Sequence, residues 1–212
     1  MLEELFKLVR EGSHDVVVNN PDIPNEHNDE VMAEATNTVA SGLRNMVAGG
    51  GLKSIIALFQ NKDEQSNGNS GGLLNNPLVS MMIGHFAGKL TTKFNIDESK
   101  ADNVAKSLIP NVLGNLISKS NDPADNGFSL EKLLNSITGG KTNEVVEEQQ
   151  KSGKSGFSFK DLISKVLGGG DQQGSGGGLM DIITKLAGGA LSQQKRNGGG
   201  GLLNLIKGFF KK

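Results

Sequence analysis

The chain has 212 residues, with 22 Lys and Arg against 23 Asp and Glu for a formal net charge of −1, 35% hydrophobic residues and no cysteine. Without cysteine there are no disulfide staples, thiolate metal ligands or thiol nucleophile, which fits a reducing compartment, and the near-neutral total gives no strong long-range pull toward nucleic acid. Nine phenylalanines are the whole aromatic complement, so a core has to be built from Leu, Ile, Val, Met and Phe.

The opening stretch MLEELFKLVREG carries acids where a secretory signal would carry bases, and no apolar run approaches the roughly 18 residues of a membrane span. The expectation is a cytoplasmic protein. Leu2, Leu5, Phe6 and Val9 recur at helical spacing and predict a first helix ended by Gly12. Val16, Val17 and Val18 form a short β-prone run ahead of turns at Pro21 and Pro24. After Asn28, a good N-cap, Val31, Met32, Ala35, Val39, Leu43, Met46 and Val47 trace one face of a long helix that Gly49, Gly50 and Gly51 should stop. A short helix follows over 52–59, closing an N-terminal helical segment at residues 1–60.

Residues 61–74 read as a polar linker by composition. The pattern restarts at Asn76-Pro77, a cap followed by proline at the first helical position, with Leu78, Met81, Met82, Ile83, Phe86 and Leu90 as the apolar face. His85 lies in that run and reads as a core or boundary residue. From Asp97 a further helix passes Ala101, Val104, Ala105, Leu108 and Ile109 and meets Pro110, which removes a backbone hydrogen bond. A kink or break is expected there, with Val112, Leu113, Leu116 and Ile117 continuing on a new axis.

Beyond this point one short unit recurs. Leu130-x-x-Leu133-Leu134-x-x-Ile137, Phe159-x-x-Leu162-Ile163-x-x-Val166, Leu179-x-x-Ile182-Ile183-x-x-Leu186 and Leu202-x-x-Leu205-Ile206-x-x-Phe209 share the spacing of Leu52-x-x-Ile55-Ile56-x-x-Phe59. Their irregular separation rules out a regular solenoid. Fourteen of the 30 glycines lie between Gly168 and Gly208, so residues 141–212 read as a glycine-rich tail carrying short amphipathic helices. Four apolar side chains cannot offset the ordering of ten backbone residues, so each unit needs a surface on which to dock.

Catalytic and metal-binding patterns fail on spacing or context. Gly68-Asn69-Ser70-Gly71-Gly72 spells a hydrolase elbow but lacks the preceding strand, and Gly140-Lys141-Thr142 and Gly153-Lys154-Ser155 lack the upstream glycine of a phosphate loop. Glu26, His27 and Glu30 could share a metal from one turn but need further ligands, and acids there suit the helix dipole. The tract from Asn121 to Gly127 has turn chemistry rather than calcium-loop spacing. No cofactor and no enzyme activity are expected, and the surplus of acids around Pro110 disfavours DNA.

The block Phe94-Asn95-Ile96-Asp97, Ala101, Ala105, Leu108-Ile109-Pro110, Asp122-Pro123 and Phe128-Ser129-Leu130 resembles the YidB-like family of bacterial proteins, a domain of unknown function, and covers residues 75–140. The resemblance implies a small all-α fold with a homeodomain-like three-helix arrangement and brings no catalytic residues. The reading that follows is an all-α, non-enzymatic structural or scaffold protein that self-associates as a homo-oligomer. Leu179, Ile182, Ile183 and Leu186, together with Leu202, Leu205, Ile206, Phe209 and Phe210, are the expected contact residues. A nucleic-acid module around Pro110 is the alternative. So is membrane attachment by the C-terminal unit, whose Lys207, Lys211 and Lys212 suit an anionic surface. Residues 1–34 hold nine acids against Lys7 and Arg10, a natural counterpart for those bases.

Overall fold

The computed structural model describes residues 2–60, 71–122, 128–168 and 176–196. The described residues are helices and turns without a strand, so the all-α expectation holds. Two compact units divide the chain. One gathers residues up to Gly42 with the described part of Lys62–Phe128, and the other gathers Leu43–Asn61 with the described part of Ser129–Gly198.

The first unit begins with α1 (Leu2–Gly12), a π-helical turn (His14–Val18) and a 3-10 turn (Asn25–His27) that leads into α2 (Asn28–Ala48). The three valines of the β-prone run form part of the π turn. Ser13 supplies a local reason, because its hydroxyl donates to the Val9 carbonyl and Val17 N–H donates to the Ser13 carbonyl, so the helical bonding continues past α1. A short α4 (Gly71–Leu74) falls inside the expected linker, with Leu73 buried. Then come α5 (Pro77–Phe94) and α6 (Glu98–Ser120). Asn76 caps α5 through a hydrogen bond accepted from Leu78 N–H at 2.9 Å, and Asp97 caps α6 by accepting from Ser99 N–H at 3.0 Å. Between them Asn95 takes the left-handed conformation, φ 54°, which asparagine tolerates better than most residues.

Helix α6 is the centre of this unit. It packs along α5 and also receives α1, the π turn and α4. Ala101, Val104, Ala105, Leu108, Ile109, Val112, Leu113, Leu116 and Ile117 are all buried along it. The helix runs through Pro110 without a break, so of the kink or break expected there the break does not occur. The ring, itself buried, costs one hydrogen bond, and apolar packing on both sides of the proline outweighs that loss.

The second unit contains the end of α2, α3 (Leu52–Gln60), α7 (Leu130–Ile137), α8 (Lys141–Lys151), α9 (Phe159–Gly168) and α10 (Gly176–Arg196). Four of the five recurrent apolar units are therefore helical; the fifth, with Leu202, Leu205, Ile206, Phe209 and Phe210, lies outside the described residues. α8 packs against α7, α9 and α10, α3 packs on α9, and α10 reaches α7. Apolar spacing does not mark α8 as a separate element, because Thr142 and Val145 are its only buried side chains among Lys, Glu, Gln and Asn. Thr138 and Thr142 satisfy one another at 3.0 Å, so neither hydroxyl is stranded where α7 meets α8.

Glycine has two uses here. Gly139 and Gly140 take positive φ, 65° and 91°, and turn the chain from α7 into α8. Gly188 and Gly189, which follow the Leu179 to Leu186 unit, lie inside α10. A Cβ at Gly189 would overlap the Thr138 carbonyl oxygen, whereas no described atom lies within 4 Å of a Cβ at Gly188. Gly189 is therefore what lets α10 approach the end of α7. Replacing Gly189 by Ala should destabilise the second unit by on the order of 1–3 kcal/mol through steric strain. Gly188→Ala should stabilise it by up to about 1 kcal/mol through helix propensity. Chemical denaturation of the two variants checks this, and equal effects would contradict the close approach.

Candidate functional site

Several charged groups are drawn into pairs. Glu34 on α2 has a side chain 1% exposed and accepts a hydrogen bond from Lys93 Nζ at 2.8 Å; the lysine is 32% exposed at the last turn of α5. The ammonium also stands 5.2 Å from the centroid of the Phe94 ring, and that ring meets His27 at 5.5 Å. Lys100 on α6 bonds Asp22 at 2.9 Å, and the Asp22 carboxylate holds the Lys100 ammonium above its ordinary pKa. At least two of the nine N-terminal acids are thus engaged within the first unit, which weakens their expected role as counterpart to the C-terminal bases.

Around these pairs there is little to react. Glu26 is exposed and His27 faces Phe94, and no group of three metal-ligating side chains forms among the described residues. His85 is exposed, because α5 buries Met82, Ile83 and Phe86 on the other side of the helix; the core reading of that histidine is corrected. Lys141 and Thr142, which echoed a phosphate loop, belong to α8, where Lys141 pairs with Glu144 and Thr142 is buried. Gly68, Asn69 and Ser70 of the elbow spelling lie outside the described residues. The Glu34–Lys93 pair links α5 to α2.

The arrangement with binding potential is apolar and lies on α10. Of the contact residues expected there, Ile182 and Leu186 are buried by their own chain, so they cannot offer themselves to another copy; Leu179 and Ile183 are half-buried. The helix nevertheless has a second apolar stripe about a third of a turn round, formed by Met180, Ile183, Ala187 and Leu191 at i, i+3, i+7 and i+11. Met180 is 62% and Leu191 45% exposed. Leu74 and Met81 of the first unit are exposed too, but they belong to different helices, and single exposed apolar side chains need no partner. Sequence reading missed this face because the regular i, i+3, i+4, i+7 pattern fixed attention on the other one.

Ser158 and Asp161 close the start of α9. The aspartate accepts from the Ser158 hydroxyl at 2.6 Å and from the Ser158 N–H at 2.8 Å. These bonds, the hydroxyl first, hold the Asp161 carboxyl below its ordinary range. No helix among the described residues is long and apolar enough to cross a membrane. No family model, curated protein or solved structure matches the chain.

Two outcomes are expected. Lys93→Met should destabilise the first unit by about 3 kcal/mol by leaving Glu34 buried and unpaired, and adding Glu34→Leu should recover most of the loss; urea unfolding of the single and double variants decides. The Asp161 carboxyl has a folded pKa below its unfolded one, so its contribution is present above the unfolded value and fades as pH falls below about 4. Asp161→Asn should therefore show a smaller difference between melting at pH 6 and at pH 3 than the wild type.

Proposed function

We propose that this chain is a non-enzymatic, self-associating structural or scaffold protein, cytoplasmic and bacterial, in which α10 supplies a contact between copies. The observation that supports this is the second apolar stripe of α10. A helix needs one apolar face to dock on its own unit, and Leu179, Ile182, Leu186 and Ala190 provide it. Met180, Ile183, Ala187 and Leu191 are additional, and exposed apolar surface arranged along one helix is what a helix–helix contact between copies buries. The carboxylate of Asp181 and the ammonium of Lys195 flank the stripe near its two ends, so two antiparallel copies bring opposite charges together.

The resemblance of residues 75–140 to the YidB-like family supports the bacterial source and a homeodomain-like arrangement of three helices in that region. It does not favour nucleic acid, since residues 97–118 carry Asp97, Glu98 and Asp102 against Lys100 and Lys106, and α6 has no arginine to read a base edge. The reading is tested by sedimentation of the full chain and of Met180→Glu/Leu191→Glu, both at exposed positions. The wild type should associate at tens of micromolar and the variant should be monomeric with an unchanged melting temperature. A strictly monomeric wild type overturns the proposal; a variant that still associates moves the contact away from α10.

A further inference from the structure

Several buried polar side chains find partners at short range, while Asn28 Oδ1, Glu34 Oε1 and Thr38 Oγ1 are enclosed without one among the described residues. The Thr36 hydroxyl donates to the Met32 carbonyl at 2.8 Å, that of Thr138 to the Leu134 carbonyl at 2.7 Å, and Glu34 has Lys93. Arg44 differs from these in carrying a full charge with no ion pair among the described residues. It is only 7% exposed, yet among the described residues it has no acid and no hydrogen-bond acceptor, and its Nε is fully enclosed without a partner. A guanidinium cannot shed its proton as a buried lysine can, so burial leaves a permanent cation whose charge must be met by an anion.

Its own helix offers none. One turn away on α2 stand Ala40, Val47 and Ala48, which carry no polar side-chain atom, and Ser41, whose hydroxyl turns to Asn37 Oδ1. Desolvation alone moves the Arg44 pKa, and it moves it down, with no neighbouring charge to offset it. Nε is the enclosed nitrogen of the three, which leaves the Nη edge of the fork as the part that reaches solvent. That edge presents two parallel N–H groups, the geometry that pairs with two oxygens of one oxyanion.

We propose that Arg44 anchors an oxyanion-binding site on the second unit, taking a small phosphate or carboxylate on the outer edge of its guanidinium. Partial enclosure of the guanidinium lowers the local dielectric and strengthens such a pair. Binding to the folded state alone raises its stability with ligand concentration.

The test melts the full chain, as wild type and as Arg44→Met, in rising sodium phosphate and separately in sodium acetate, with sodium chloride added to constant ionic strength. The wild-type transition should rise by several degrees in at least one series, and Arg44→Met should lose that rise. A rise in phosphate alone assigns phosphate as the ligand chemistry, and a rise in both assigns oxyanions generally. No rise in the wild type, or the same rise in the variant, overturns the proposal. A second readout needs no variant: the Nε–H resonance of Arg44 should move and saturate during a phosphate titration, and a stationary resonance overturns the site.

Discussion

A ten-residue amphipathic helix buries too little apolar surface to order itself in water, so α3, α7 and α9 exist as helices only because other helices cover them. Much else in the second unit follows from that constraint. Leu52, Ile55, Ile56, Leu58 and Phe59 of α3 are buried where α3 packs on α9, and Leu133, Leu134 and Ile137 are buried on α7. α8 joins the set although its own apolar content is small, since a polar helix laid across several apolar ones shields their edges at little cost. In such an arrangement each helix is marginal and the assembly is cooperative.

Side chains of modest size make close approach the second requirement. With no Trp, Tyr or cysteine to bridge gaps, helices gain contact by nearing one another, and glycine at the crossing permits it. Gly189 at the end of α7 and Gly42 beside Met82 both stand where a Cβ would collide with a neighbour. The same residue type at Gly84, Gly88 and Gly188 meets no described atom. Whether a glycine marks a turn, a crossing or open surface thus depends on what faces it.

Charge works locally in the same way. A chain of net charge −1 has little far-field influence, but Glu34, Asp22 and Glu148 each hold a lysine at 2.6–2.9 Å between elements distant in sequence. The pair at Glu34 is the most consequential because the carboxylate is enclosed, and a buried charge without its partner is far more costly than an exposed one. Arg44 poses the opposite case, an enclosed cation whose counter-charge is not supplied by the described residues.

Much of the helical inventory was legible in the residues themselves. Apolar spacing, the cap at Asn76 and the stop after Ala48 are consequences of backbone geometry that act within a few residues, so one sequence suffices to read them. What lies across space was decided by tertiary structure. Pro110 stays inside α6 because packing outweighs one lost hydrogen bond, and α10 passes through Gly188 and Gly189 because the contact with α7 supports a helix that local propensity disfavours. The burial of Ile182 and Leu186 beside an exposed Met180 and Leu191 likewise depends on which face of α10 meets its neighbours, and a periodic pattern names the faces without choosing between them.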